Sequence, residues 1–278
     1  MSLRHLFFSV AISVLIVSAD ARAQTVFSSA GANAAGIQAT VDAFRASLGV
    51  LNPNVAGSFG SGRREINWDA VPNALAAPNS LPANFFNSNS PRGAVFSTPG
   101  TGFQVSANAG IALVEFGNID ANYTALFGIF SAQRLFTPIG SNIMDVNFFV
   151  PGTLTPAATV GFGSVFTDVD LANTTSIEYF DFFNNTSLGI FFAPDIAGNE
   201  TLSFLGVSFA DSLIGRVRIT NGNQILAAGN TNEDLVVMDE FIYGEPLAVP
   251  EPTSLILTML GGITVALRRH KRRRSSNS

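Results

Sequence analysis

TVGFGSVFTDVDLANTTSIEYFDFFNNTSLGIFF, residues 159–192, holds three short runs rich in Phe, Val and Ile, separated by Asn, Asp and Thr. Short β-branched and aromatic runs bounded by turn formers read as strands, and none of these carries the three-to-four spacing of an amphipathic helix. The same punctuation extends in both directions. It predicts strands over 65–68, 94–97, 103–106, 111–116, 125–131, 145–150, 159–168, 176–183, 187–192, 201–209, 215–220 and 235–243. Many short strands with no intervening helix predict an all-β body of antiparallel sheets packed as a jelly-roll-like sandwich. The runs show no fixed period, so a solenoid is the weaker reading.

Upstream the period changes. Over 30–48 the apolar residues Ile37, Val41, Phe44 and Leu48 recur at spacings of four, three and four, which predicts an amphipathic helix. Gly49 ends it, and a Gly- and Ser-rich loop runs on to Gly62. This divides the chain into a leader (1–23), a helix and linker (24–62), a sandwich domain (63–248), a tail (249–274) and a short disordered end (275–278). The tail adds a C-terminal hydrophobic helix. Residues 24–249 hold 23 phenylalanines and the chain has no cysteine, so the fold rests on its apolar core. In the pairs Phe148-Phe149 and Phe191-Phe192 one ring goes to each face of a strand.

Charge and composition exclude much chemistry. Residues 24–249 carry 18 acids against seven arginines, a formal charge of −11, with no lysine and no histidine. Such a surface repels phosphate, which argues against nucleic acid as a partner. Without His or Cys the body cannot build a Ser/His/Asp triad, a thiol nucleophile, a zinc site of those ligands or an iron-sulfur cluster.

Carboxylate and oxygen-ligand chemistry remain. Trp68, the sole tryptophan, stands beside Asp69 and after Arg63-Arg64-Glu65. It reads either as a platform for a sugar ring, with Asp69 and an arginine bonding its hydroxyls, or as a core residue beside a surface ion pair. Asp168 and Asp170, two apart on a strand, could join Asp239 and Glu240 as hard ligands for a structural calcium ion, the one cofactor this sequence suggests. Glu115, Glu178 and Asp181 are the acids available to a glycosidase, whose chemistry needs two facing carboxyls. Arg216 and Arg218 alternate on one strand and are expected to pair with acids across the sheet.

The ends read as addresses. Arg4 and His5, the apolar run 6–17 and Ala21-Arg22-Ala23 before Gln24 form a secretory signal peptide for signal peptidase. At the other end come Pro250-Glu251-Pro252, an apolar stretch over 253–267, and a basic cluster: Arg268, Arg269, Lys271, Arg272, Arg273 and Arg274. Fifteen residues make about 22 Å of helix, short of the roughly 30 Å hydrocarbon core, so the segment suits transient membrane insertion. The basic cluster holds its end in the cytoplasm.

These three parts in this order resemble the PEP-CTERM sorting tail of Gram-negative bacteria, a tail also labelled an ice-binding-protein C-terminal segment. The resemblance covers under a tenth of the chain. It implies processing by an exosortase-type membrane protease and delivery to the outer surface or an exopolysaccharide matrix. The stretches 62–69, 90–93, 97–103 and 166–170 are in turn similar to parts of uncharacterised exported proteins that carry this tail. The expectation is thus an exported, non-enzymatic, structural or adhesive surface protein. The alternatives are a lectin-like polysaccharide-binding module and, third, a carboxylate glycosidase.

Overall fold

The computed structural model describes residues 23–210, 213–230 and 234–250. In chain order the elements are β1 (Gln24–Gly31), α1 (Ala34–Leu48), β2 (Arg63–Ile66), the short α2 (Phe85–Ser88), β3 (Ala94–Ser97), β4 (Gly102–Val105), β5 (Phe136–Ile139) and β6 (Ile143–Phe148). There follow β7 (Ala157–Ala158), β8 (Gly161–Thr167), β9 (Ser176–Asp181), β10 (Ser187–Phe192), β11 (Leu202–Phe209), β12 (Ile214–Thr220), β13 (Val237–Gly244) and β14 (Leu247–Ala248).

Two antiparallel sheets face each other. One runs β1-β11-β8-β13-β5-β4, with β2 also paired to β13, and the other runs β10-β9-β12-β6-β3. Between them lies the main core, where Trp68, Phe96, Phe103, Phe136, Phe162, Phe166, Tyr179 and Phe241 meet. This is the expected β-sandwich. The expected C-terminal hydrophobic helix falls outside the described residues, and among the described residues no helix is long and apolar enough to cross a membrane.

Helix α1 covers the outer face of the larger sheet. It starts at Asn33, whose side chain accepts the Ala35 N–H, and buries Ile37, Val41, Phe44 and Leu48, the four residues the spacing singled out. Phe44 settles onto Gly163 and Gly206, directly opposed on β8 and β11. A Cβ on Gly163 would lie 2.8 Å from the Phe44 ring, so the two glycines are the slot that admits it. Because the helix covers one face and the second sheet the other, β8 and β13 are buried along their whole length. That double cover is why apolar residues such as Phe162, Val165, Phe166, Phe241 and Ile242 point to both faces of these strands.

Several expected strands differ. Residues 111–116 and 125–131 form turns and irregular backbone, with Glu115 and Phe116 at positive φ. Each stretch buries one peg: Phe116 and Phe127, with Tyr123 between them, fill a satellite core with Leu135, Leu226 and Val237, while Ile111, Leu113 and Ile129 are exposed. One buried ring among exposed Ile and Leu residues has the same composition as a strand. In 24–62, expected as helix and linker, the structure adds strand β1, paired with β11 over its full length. It is an edge strand of small and polar residues with only its last residue fully buried, so it lacks the apolar signal. β5 escaped notice because of Pro138, which fits where β5 pairs with β13 only through Met238. The two Phe pairs divide as expected: Phe148 is buried and Phe192 is exposed. Arg218 and Arg216 also pair across the sheet, with Asp145 at 2.8 and 3.1 Å.

Phe44→Ala is expected to cost about 3–5 kcal/mol through the cavity left above the sheet. Gly163→Ala overpacks the same slot and should cost about 1–3 kcal/mol. Urea unfolding of both variants checks this, and wild-type stability in both would mean that α1 does not dock as described.

Candidate functional site

Strand β2 places Arg64 inside the protein, where a cation needs every donor satisfied. Its Nε and Nη2 fork onto Glu245 at 2.7 and 2.8 Å. The rest of the guanidinium donates to the carbonyls of Pro53 (2.7 Å), Gly57 (3.0 Å) and Pro91 (3.1 Å). Glu245 also accepts from Asn52 Nδ2 at 2.8 Å and from Phe59 N at 3.3 Å. One ion pair thereby anchors the 50–62 loop, the start of the 91–93 segment and the end of β13. Next to Trp68 the Arg63–Glu65 pair stays partly exposed, whereas Arg64 and Glu245 are wholly buried.

Beside this anchor is a cleft. Its larger compartment, about 360 Å³, is lined by Asn67, Trp68, Phe86, Asn89, Ser90 and Arg92, among others. A smaller hollow of about 190 Å³ shares Asn54, Asn67 and Arg92 with it and adds Glu65 and Glu240. Arg92 thus belongs to both. Its guanidinium lies 5.2 Å above the Phe86 ring, and one Nη donates to the Ser90 hydroxyl. Its Nε is buried with no hydrogen-bond partner. Burial lowers the Arg92 pKa, the Tyr243 phenol acts against that, and the nearby Arg64 charge lowers it further. Among the described residues no carboxylate forms an ion pair with it.

The two acids of the smaller hollow are already neutralised. Arg45 from α1 reaches Glu65 at 2.9 Å and Glu240 at 2.6 Å, and Arg63 Nε reaches Glu65 at 2.6 Å. Burial raises the Glu240 pKa to about 7 against the pull of Arg45.

Trp68 is core on both faces. Its ring stacks on Phe136 at 4.0 Å and 9°, and Phe86 and Phe241 approach edge-on at 5.3 and 5.0 Å. No face is left for a sugar, which corrects the platform reading. Trp68 nonetheless lines the cleft, and its indole Nε1 is buried without a hydrogen-bond partner. Leaving such a donor unmade costs roughly 1–3 kcal/mol. Asp69 turns elsewhere: its carboxylate accepts the Arg134 N–H at 3.2 Å, and burial raises its pKa.

The expected calcium ligands do not converge. Asp239 is a peg for the 130–131 backbone, accepting from Phe130 N (2.6 Å), Ser131 N (3.1 Å) and Ser131 Oγ (3.0 Å). Asp168 and Asp170 lie instead near Asp234, whose Oδ1 accepts the Asp170 N–H at 2.7 Å. Asp170 Oδ1 accepts Gly198 N at 2.8 Å. Among the described residues no group of three His, Cys, Asp or Glu side chains is placed to hold a metal ion. Burial, then Asp170 and Asp234, push Asp168 to about 8, and burial pushes Asp239 to about 8. Of the three acids considered for hydrolysis, Glu115 neighbours Glu200 and is raised by burial to about 7, Glu178 lies near Arg218, and Asp181 caps the turn at Phe183 and Asn184.

Sequence reasoning missed Arg92, Asn67 and Asn89 as a group. A signal existed: the stretches 62–69 and 90–93 resembled parts of exported proteins with this tail, and the structure joins them through the Arg64–Pro91 hydrogen bond at one rim of the cleft. Of the sorting motif, Pro250 is described, while Glu251, Pro252 and the basic cluster 268–274 lie outside the described residues.

Residues 248–273 match the family described as the PEP-CTERM protein-sorting motif. No curated protein and no solved structure matches the chain. The tail marks an exported protein processed by an exosortase and sorted to the cell surface.

Arg64→Met strands Glu245 as a buried charge and should cost about 3–5 kcal/mol, while Arg64→Met with Glu245→Met should cost clearly less. A double-mutant cycle in urea measures the difference, and equal costs would refute the pairing. The protonated carboxyls generate a second expectation. Asp168 and Asp239 ionise near 4 when unfolded and near 8 when folded, so the native state holds the extra protons between those values. Their stabilisation is complete below pH 4 and is lost as pH rises through 8. The melting temperature should therefore fall from pH 5 to pH 9, with a shallower fall in Asp168→Asn. A profile that rises over that range would contradict the assignment.

Proposed function

We propose that this protein is a structural or adhesive component of the bacterial outer surface or its polysaccharide matrix, whose folded body is released there when both end segments are removed. The carrying observation is the sorting motif at residues 248–273. The boundaries of the fold support it. β1 starts at Gln24, the first residue after the expected signal-peptidase cut, and β14 ends at Ala248, where the motif begins. Neither removal would take a residue from the two facing sheets. The aromatic core supplies stability without disulfides, as suits an exported chain lacking cysteine. On this reading the body binds and does not catalyse. The apolar stretch after Pro252 is inserted in the membrane only until the exosortase acts.

A second reading, a lectin-like module, is favoured by one feature: the amide- and arginine-lined cleft over Phe86. Sugars are recognised by such combinations of planar polar groups and apolar walls.

Replacing Pro250-Glu251-Pro252 by three alanines should leave a membrane-retained precursor carrying residues 253–278. Intact mass of the wild-type protein recovered from the outer surface should show both ends removed. Normal release of the triple-alanine variant would overturn the sorting route.

A further inference from the structure

We propose that the cleft around Arg92 is a binding site for one sugar ring bearing a carboxylate, a uronic acid residue of an acidic glycan. The inference deepens the lectin-like reading by naming its ligand class and rests on that reading.

Three observations converge on it. First, two side chains of the cleft carry unmade donors: Trp68 and Arg92 both line the larger compartment, and Trp68 Nε1 and Arg92 Nε are buried without a hydrogen-bond partner. Groups that can only donate call for a ligand that accepts, and a carboxylate is the strongest acceptor among common biological groups. Second, the charge there is uncompensated. Arg64 is neutralised by Glu245, and Glu65 and Glu240 are neutralised by Arg45 and Arg63, which leaves Arg92, among the described residues, as the cation lining the cleft without an acidic partner. In a body whose formal charge is −11, a lone desolvated guanidinium is a local exception with electrostatic selectivity for an anion. Third, the remaining lining suits a sugar more than a bare inorganic anion. Asn54, Asn67, Asn89 and Ser90 can exchange hydrogen bonds with hydroxyls, and Ala70 and Pro72 add apolar lining for ring C–H groups. At about 360 Å³ the compartment lies near the lower end of the roughly 300–1,000 Å³ of small-molecule pockets, room for one ring rather than an extended chain.

The guanidinium is positioned before any ligand arrives. Phe86 lies beneath it, Ser90 holds one Nη, and its own carbonyl accepts the buried Tyr243 hydroxyl at 3.0 Å. The segment is fixed in turn by Arg64, which bonds the Pro91 carbonyl next door. A rigid donor array loses little freedom on binding.

Trp68 is the only tryptophan, so its fluorescence reports on this cleft alone. The mature protein recovered from the cell surface is titrated with D-glucuronate, D-glucose and sodium sulfate at equal ionic strength. A saturable change in emission with glucuronate, absent with glucose and sulfate, is expected. Arg92→Gln should weaken glucuronate binding at least roughly tenfold, as for a lost charge-assisted hydrogen bond. Should Arg92→Gln fail to fold, Asn89→Asp serves instead, because Asn89 is exposed and the new carboxylate repels the ligand: the same loss is expected. No saturable response to glucuronate overturns the proposal, as does undiminished binding in either folded variant. Equal response to glucose overturns the carboxylate requirement while leaving the lectin-like reading intact, and equal response to sulfate overturns the sugar. A glycan array blank for every class would remove the lectin-like reading itself.

Discussion

Burying Arg64 is the constraint on which much of this architecture depends. A guanidinium taken out of water is tolerated only when its donors are met, and here the acceptors come from three separate places: Glu245 after β13, Pro53 and Gly57 in the long loop, and Pro91 after α2. Segments with little apolar content of their own are therefore fixed by one side chain. The same bonds set the spacing between the 50–62 loop and the 90–93 segment, so the width of the cleft is a by-product of satisfying a buried charge. Such a network contributes more to choosing one arrangement than to net stability, since an apolar replacement of equal shape removes the desolvation penalty along with the bonds.

Stability itself comes from aromatic packing. Trp68 and Phe136 stack while Phe86 and Phe241 meet the indole edge-on, and Phe96 from the opposite sheet closes the group at 6.0 Å from Trp68. These contacts join both sheets at one point, next to the cleft. The indole is thus a keystone of the core that also lines the cleft. A residue can serve both ends because its ring and its N–H have different solvation requirements. On the outer face the helix repeats the logic with a smaller element: Phe44 enters a slot made by two opposed glycines, so absent side chains on β8 and β11 position α1 as firmly as the apolar ones.

Much of the fold was legible from periodicity. The four buried residues of α1 and the alternation in β9 each follow from which faces are covered, and covering leaves a trace in residue order. Where burial is by pegs, as in Phe116, Tyr123 and Phe127, the trace imitates a strand, and where a strand lies at an edge, as in β1, there is no trace at all. The candidate site was far less readable. Trp68 was visible as the sole tryptophan, yet whether its face or its edge is available depends on Phe136, which lies 68 positions later in the chain. Asp168 and Asp170 stood out by spacing, but their third neighbour is Asp234 rather than Asp239, a matter of loop placement.

Residue order alone settled what is written in consecutive residues: the sorting tail, the amphipathic helix and the alternation that makes sheets. Each is read by a short-range rule, whether a protease, a membrane or a repeating backbone geometry does the reading. Tertiary structure decided which cations find partners. Arg64 and Arg92 are 28 positions apart and chemically identical, and one is saturated while the other is left with an unmade donor in a cleft. That difference arises because acceptors are delivered by strand pairing and loop closure across nearly two hundred residues, distances over which local sequence carries no geometric information.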